Sequence, residues 1–524
     1  MADSAWQKVC RDADLQEGVP RMVKVGDDDV YLVRLDGTVR AVGNKCPHYE
    51  CPLNEGALVG HVVVCRCHDA RFDVTTGRMV SPPALNDLPV YPVRIEAGDV
   101  LVGPVEKARF PKAEGTDTRT FMIVGAGAAG NAAAETLRRE GFAGRIVMIT
   151  PENDPPYDRP NLSKEFISGK AKPEWMPLRS VKFYQNQKIE VMTGVSAVSL
   201  DAKKKTVTLL GGVEMSFDKV LIATGSAPRT LPIPGADGEA CFNLRSFADA
   251  RAILEAAAGA KKAVLIGAGF IGMELASSLG ERGLAVDVVA PEALPFAQLV
   301  GERVATWLKT RHQEKGVTFH LGATVRQISG PRGAKAVSLA DGTRLEADLV
   351  VFGTGVAPVV GWLSSAELVK DGGVPVNERL ETAAPDVYAA GDIAIVPDPI
   401  DGRPTRIEHW VVAERQGQHA ARSMLGSTTR YDEVPFFWTR QTGVSLKHVG
   451  STGTWDALAF RGDVEAGKFV AGYYRKGALV AAAGVGLHTD LTAVELMLRK
   501  RLALPAEALS DMGVDLLARA KAAP

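Results

Sequence analysis

The sequence predicts a multidomain chain: an all-β module, an α/β region built twice on one plan, and an α+β C-terminal domain. Three observations predict it. Short strand-like runs and turn dipeptides fill residues 1–103, where four of the six cysteines gather between positions 46 and 67. A buried strand, a glycine-rich turn and a helix follow one another from Phe121 and again from Ala263. From Tyr431 onward an antiparallel strand pattern precedes a helix near 490–501. At 524 residues the chain is too long for one core. Its apolar and charged fractions are those of an ordinary globular protein. A net charge of −1 gives no footprint for nucleic acid. No window reaches the length of a membrane span, and the first residues lack an apolar targeting core, so a cytoplasmic protein is expected.

In the first module the runs 23–25, 30–35 and 39–42 are punctuated by Gly26-Asp27-Asp28 and Asp36-Gly37. Runs 61–65, 71–74, 90–95 and 100–102 continue the series. Two of its loops carry metal-ligating residues, Cys46-Pro47-His48 and Cys65-Arg66-Cys67-His68. Such clustering points to a metal centre rather than a secreted disulfide framework. Cys46, His48, Cys65 and His68 offer two thiolates and two imidazoles. That set suits a tetrahedral zinc, or a pair of irons with cysteines on one and histidines on the other. Pro52, Gly56 and Gly60 oppose the helix that a zinc finger would need there.

Residues 104–118 are polar and aperiodic and read as a linker. The strand at 121–124 then enters Gly125-Ala126-Gly127-Ala128-Ala129-Gly130 and a helical run to Glu140. Gly125, Gly127 and Gly130 permit a tight turn, close approach of a pyrophosphate and close helix packing, and the helix N-terminus supplies free N–H groups. Glu152, at the end of the next strand, stands where a ribose-binding carboxylate belongs. The plan recurs in the strand at 263–266, the turn Gly267-Ala268-Gly269-Phe270-Ile271-Gly272, a helix to Arg282 and a strand at 285–290. Each copy ends in a hairpin and a further glycine signature, through Thr224-Gly225 in the first and Thr354-Gly355 in the second. Two such sites imply two dinucleotides, one held and one exchanged.

The loop pair resembles the Rieske motif, which implies a [2Fe–2S] cluster on Cys46, Cys65, His48 and His68. Cys51 and Cys67 stand where high-potential Rieske proteins carry a disulfide between the ligand loops. Those proteins follow the second histidine with Gly-Ser-x-Tyr, whose hydroxyls bond to sulfur. Here Asp69-Ala70-Arg71-Phe72 supplies neither hydroxyl. Hydrogen bonds to sulfur favour the reduced cluster, so this centre is expected toward the low end of the Rieske range, roughly −150 mV.

The segment from Pro385 to Gly391-Asp392 is similar to the second flavin-contacting motif of the flavoproteins with two dinucleotide domains. That likeness implies FAD at the first glycine motif, NAD(P)H at the second, and Asp392 on the ribityl chain. Residues 121–524 resemble the NADH-dependent ferredoxin and rubredoxin reductases. With the module in front, the chain resembles the Rieske-containing, apoptosis-inducing-factor-like branch of that family. The resemblance implies an all-β Rieske module (1–103) and the linker (104–118). A Rossmann-like FAD domain (119–242 and 356–428), an NAD(P)H domain (243–355) and an α+β interface domain (429–524) follow.

By the same resemblance, the segment holding Arg159 and Lys164 runs along the isoalloxazine, with Lys164 near the flavin N5 edge and Glu274 able to pair with it beside the nicotinamide. Trp410, in Glu408-His409-Trp410, is placed at the flavin face, and Trp438 in a segment closing over the flavin. No cysteine occurs in 131–180, where glutathione-reductase-like relatives carry a redox pair, so the flavin's electrons need another exit. Ala290 occupies the usual NAD-selecting acid position, with Glu292 two residues later and no arginine for a 2′-phosphate. NADH is therefore expected, with NADPH the alternative. The implied function is electron flow from NADH through FAD to the chain's own cluster, and on to a ferredoxin, cytochrome or oxygenase, in a monomer or homodimer. Two other readings stay open: a flavin reductase whose Rieske module docks a partner or senses redox state, and an NADH-sensing, apoptosis-inducing-factor-like protein.

Overall fold

The computed structural model describes residues 6–106, 110–111, 115–363, 366–451 and 453–522. In the first module, strands Arg21–Val25, Asp28–Leu35 and Thr38–Gly43 form an antiparallel meander that Val90–Tyr91 extends. A second antiparallel sheet, Ala57–Val59, Val62–Val64, Arg71–Asp73 and Met79–Ser81, carries the ligand loops at one end. Its core is Tyr31, Val33, Leu53, Val63, Phe72 and Leu88. Gln7–Arg11, Ala57–Val59 and Met79–Ser81 are strands that the apolar pattern did not announce. Each is short or partly exposed, so alternation has too few residues to register. Of the 104–118 linker, residues 107–109 and 112–114 lie outside the described residues. Its Phe110 is anchored edge-on to Phe183, with the Arg139 guanidinium over its ring.

The α/β region holds two parallel sheets of one design. The first runs Ile189–Met192, Arg145–Ile149, Thr120–Val124, Lys219–Ile222, Val387–Ala389. The second runs Val317–Leu321, Ala285–Ala290, Lys262–Ile266, Leu349–Phe352, Cys241–Asn243. Continuous runs such as Phe121-Met122-Ile123 are wholly buried, as parallel strands covered on both faces require. The first sheet takes its last strand, Val387–Ala389, from beyond the second unit, whereas every strand of the second sheet lies within residues 241–352. The second sheet opens at Cys241, where the sequence reading places the change at residue 243. Ser226–Pro228 pairs with Val356–Pro358 where the chain crosses between the units.

Helix Ala128–Arg139 follows the first glycine turn and packs on helix Trp410–Met424. A Cβ on Gly417 would lie 2.1 Å from the Ala129 carbonyl oxygen, so the two backbones touch. That crossing fixes where Trp410 and Arg415 project. The C-terminal sheet runs Phe436–Gln441, Val444–Gly450, Ala478–Val485, Lys468–Arg475, Ala457–Asp463, all antiparallel, with helix His488–Arg499 against it. Among the described residues no helix is long and apolar enough to cross a membrane.

Candidate functional site

Two matching turns build the metal cage. Cys46 N–H donates to the Cys51 carbonyl and Glu50 N–H to the Cys46 carbonyl; Cys65 and Asp69 repeat the pattern with Ala70. Glu50 and Asp69 take positive φ at corresponding positions, 54° and 64°. The second turn joins Val62–Val64 to Arg71–Asp73, and the first leaves the meander after Gly43. Cys46 and Cys65 are both buried. His48 Nδ1 and His68 Nδ1 face each other at 3.0 Å. Burial pushes the His48 pKa down to about 3 and that of His68 well below its usual range. Both rings are therefore neutral, and a metal ion bonding both nitrogens at about 2.1 Å can span such a gap. Cys51 and Cys67 are joined in a disulfide that ties the two loops, so their sulfurs are not free to act as ligands. The donor set fits a [2Fe–2S] cluster with two thiolates at one end and two imidazoles at the other.

A cavity of about 500 Å³ opens at the first glycine turn, lined by Gly125, Gly127, Glu152, Thr224, Gly391 and Trp410 among others. A Cβ on Gly125 would meet the Ala223 carbonyl oxygen at 2.0 Å, and one on Gly130 would meet the Gly125 carbonyl oxygen at 1.9 Å. Gly127 has nothing within 4 Å of its missing Cβ. The outer two glycines are needed by the fold, and the middle one leaves a bare cradle such as a pyrophosphate requires. The second turn repeats this. Gly267 and Gly272 are hemmed in at 2.4 and 2.3 Å, while for Gly269 the nearest atom is 3.8 Å away. Both cradles fit a dinucleotide.

Around the first cavity Glu152 accepts hydrogen bonds from Tyr157 and Arg159. Arg159 is thus committed to Glu152 and the Arg245 carbonyl. Thr224 donates to the Val359 carbonyl (3.0 Å), and Gly225 lines the cavity with φ +64°. Asp392 pairs with Arg245 (3.2 Å), a cavity-lining arginine for which the sequence carries no signal. Lys164 and Glu274 also line the cavity and pair at 2.7 Å. Lys164 sits at a break in the helical path (φ −115°, ψ −106°) and donates also to the Pro160 carbonyl. Glu274, on helix Phe270–Glu281, accepts from Ser163 and Lys164 on one oxygen and from Thr439 (2.7 Å) on the other. One carboxylate therefore joins both dinucleotide units to the C-terminal sheet. Glu292 is exposed beyond the Ala285–Ala290 strand, and Gly355 adopts φ +84° at the crossover.

Trp438 projects from strand Phe436–Gln441 toward the cage. It is absent from the cavity lining, and its ring packs on His68 with centroids 4.5 Å apart. Neighbours in a strand point to opposite faces, so Phe437 turns inward to stack on His409 (3.9 Å) and Trp438 turns to the module. His409 is accordingly half-buried and turned away from the cavity, between Glu408 and Trp410, which line it.

The module is docked on the reductase half through polar groups that sequence reasoning missed. Tyr49, next to His48, donates to Asp158 (2.9 Å) and accepts from Asn161 (2.7 Å). Arg71 pairs with Asp69 (2.8 Å), Glu433 (3.1 Å) and Glu495, while Arg415 pairs with Asp69 and donates to Ser81 Oγ (2.9 Å). Arg499 closes the network on Glu433 and Glu495. Burial works against the charged carboxylates, yet the arginines win: Asp69 is held below its usual range and Glu433 at about 2. Arg139 to Asp87 (2.9 Å) and Arg179 to the Leu85 carbonyl (2.6 Å) add a second anchor. The partners across this seam lie between 52 and 424 positions apart, so nothing local marks them.

Comparison with known proteins matches residues 119–417 to the pyridine nucleotide-disulphide oxidoreductase model, 5–92 to the Rieske [2Fe-2S] domain and 436–520 to the reductase C-terminal domain. Apoptosis-inducing factor 3 of Mus musculus is 36% identical over 500 residues, covering 92% of this chain and 82% of that protein. The ferredoxin--NAD(+) reductase component of the anthranilate 1,2-dioxygenase system of Burkholderia cepacia is 34% identical over 397 residues, covering 76% and 98%. The covalent putidaredoxin reductase–putidaredoxin complex matches with a TM-score of 0.74 at 30% identity, over 78% of this chain and 100% of the matched one.

Proposed function

The chain belongs to the pyridine nucleotide-disulphide oxidoreductase family, in its Rieske-containing, apoptosis-inducing-factor-like branch, and from that premise we propose that it carries electrons from NADH through FAD to its own Rieske cluster and on to a protein acceptor. It is an oxidoreductase of the ferredoxin reductase type, with FAD, NAD(P)H and a [2Fe–2S] cluster as cofactors. The docking supports the internal route. The histidine end of the cage rests on Trp438, and Tyr49 beside it bonds to Asp158 and Asn161, in the same stretch as the cavity-lining Arg159 and Lys164.

When bound, FAD accepts hydride and releases single electrons, which a [2Fe–2S] cluster can carry one at a time. The chain supplies the rest. Gly127 and Gly269 leave room for backbone N–H groups to meet the two pyrophosphates. Glu152 and Asp392 offer carboxylates to the sugar portions, each held by an arginine. The Lys164 ammonium, fixed by Glu274, puts positive charge at the cavity wall and favours a more negative occupant. Trp438 shields the His68 edge from water.

The acceptor is proposed to be a ferredoxin, a cytochrome or an oxygenase, since the relatives include a ferredoxin--NAD(+) reductase component and a reductase seen with putidaredoxin. Mixing the anaerobic protein with NADH in a stopped-flow instrument should bleach the cluster within one turnover time. Cys46→Ser should abolish that phase and leave flavin reduction intact. A flavin that reduces and reoxidises through many turnovers while the cluster stays oxidised would sink the internal route, leaving the module as a dock or sensor. NADH is expected over NADPH, because Glu292 follows the strand and 288–292 holds no arginine. Steady-state kcat/KM for the two donors checks this, and a tenfold preference for NADPH would reverse it.

A further inference from the structure

Lys447 belongs to the reductase half yet reaches the metal cage. It stands in Val444–Gly450 directly across from Trp438 in Phe436–Gln441. One cross-strand pair therefore sends an indole to His68 and an ammonium to the loop that carries Cys65. Lys447 Nζ donates to the main-chain carbonyl of Arg66, between Cys65 and Cys67, and to Nδ1 of His488 at 3.0 Å. The residue is 5% exposed. With Cys65, Arg66, His488, Thr492 and Glu495 it lines a small gap between module and C-terminal domain.

These two acceptors are uncharged. Burying an ammonium on uncharged acceptors costs free energy unless negative charge lies close by. Asp69 is near, but Arg71 and Arg415 already engage its carboxylate. Glu495 shares the gap but is paired with Arg71 and Arg499, which leaves the Cys65 sulfur, lining the same gap, as the negative group beside Lys447 that no arginine engages. Reduction adds one electron and makes a thiolate-bound cluster more negative, so a fixed cation beside Cys65 favours the reduced form.

We propose that Lys447 is a positioning residue for the cluster: it fixes the Cys65 loop through the Arg66 carbonyl and its charge draws the electron in, so that docking of the reductase half sets the redox equilibrium of the cage. The inference requires the cage to hold its cluster and does not depend on how electrons arrive there.

The test is a mediated dithionite titration of the full-length holoprotein, with the reduced cluster read by electron paramagnetic resonance. Lys447→Gln should lower the cluster's reduction equilibrium constant about tenfold, which is about 59 mV for a one-electron couple. Lys447→Arg should stay within threefold of the parent, with the flavin midpoint unmoved in both. A change below threefold in Lys447→Gln overturns the proposal, as does Lys447→Arg shifting as far as Lys447→Gln, which would make the residue merely structural. If Lys447→Gln loses its cluster, Thr492→Glu carries the test by placing a carboxylate in the same gap. It should lower the constant at least threefold, and an unchanged constant overturns the proposal.

Discussion

Arg415→Met is expected to loosen the Rieske module from the reductase half at a cost of about 3 kcal/mol, because removing one partner of a buried ion network strands the others. Arg415 is 2% exposed and spans the interface from helix Trp410–Met424 to Asp69 and Ser81. Asp69 keeps Arg71 but loses its second cation, and Ser81 Oγ loses its donor. Denaturant unfolding should report the lost stability. Limited proteolysis in the 104–118 segment should accelerate, and the cluster-bleaching phase should slow. Asp69→Leu combined with Arg415→Met should recover part of the loss, since the double change removes the stranded carboxylate with its partner. Should both single and double variants melt with the parent, the network does not hold the halves together.

The two kinds of glycine in the first turn should fail differently. Gly130→Ala drives a methyl into the Gly125 carbonyl oxygen and should cost several kcal/mol of fold stability, on the order of an overpacked core or more. Gly127→Val meets no protein atom within 4 Å of its Cβ, so the apoprotein should melt within about 1 kcal/mol of the parent. Its isopropyl group would occupy the phosphate cradle, and FAD affinity should fall at least about a hundredfold, roughly 2.7 kcal/mol. Fluorescence titration of apoprotein with FAD, beside a thermal melt without it, separates the two effects. A Gly127→Val protein that purifies fully yellow would remove the cradle from Gly127.

How much of this was legible in the sequence follows from the range of the forces involved. The glycine turns, the strands before them and the helices after them are fixed by local sterics and alternation, and their bounds fall within a residue or two of the pattern: Ala128–Arg139 against a run to Glu140, Ala285–Ala290 without change. The cage ligands were legible because cysteine and histidine at that spacing have few other uses. The packing of Trp438 on His68 was not legible, because a motif names a residue without stating which face of its strand it occupies. Tyr49–Asp158, Asp69–Arg415 and Lys447–Arg66 were invisible, since each joins segments with no periodic relation and depends on docking.

The late return of the chain to complete the first parallel sheet has a consequence for synthesis on the ribosome. By the time Phe352 has been added, every strand of the second sheet exists, from Cys241–Asn243 to Leu349–Phe352. The first sheet, although begun at Thr120–Val124, still lacks Val387–Ala389 and the Gly391-Asp392 signature beyond it. The later-encoded unit can therefore close before the earlier one, reversing the usual vectorial order of domain maturation. The first unit cannot be excised as one contiguous piece with its sheet whole, so the nascent chain acquires its prosthetic nucleotide late.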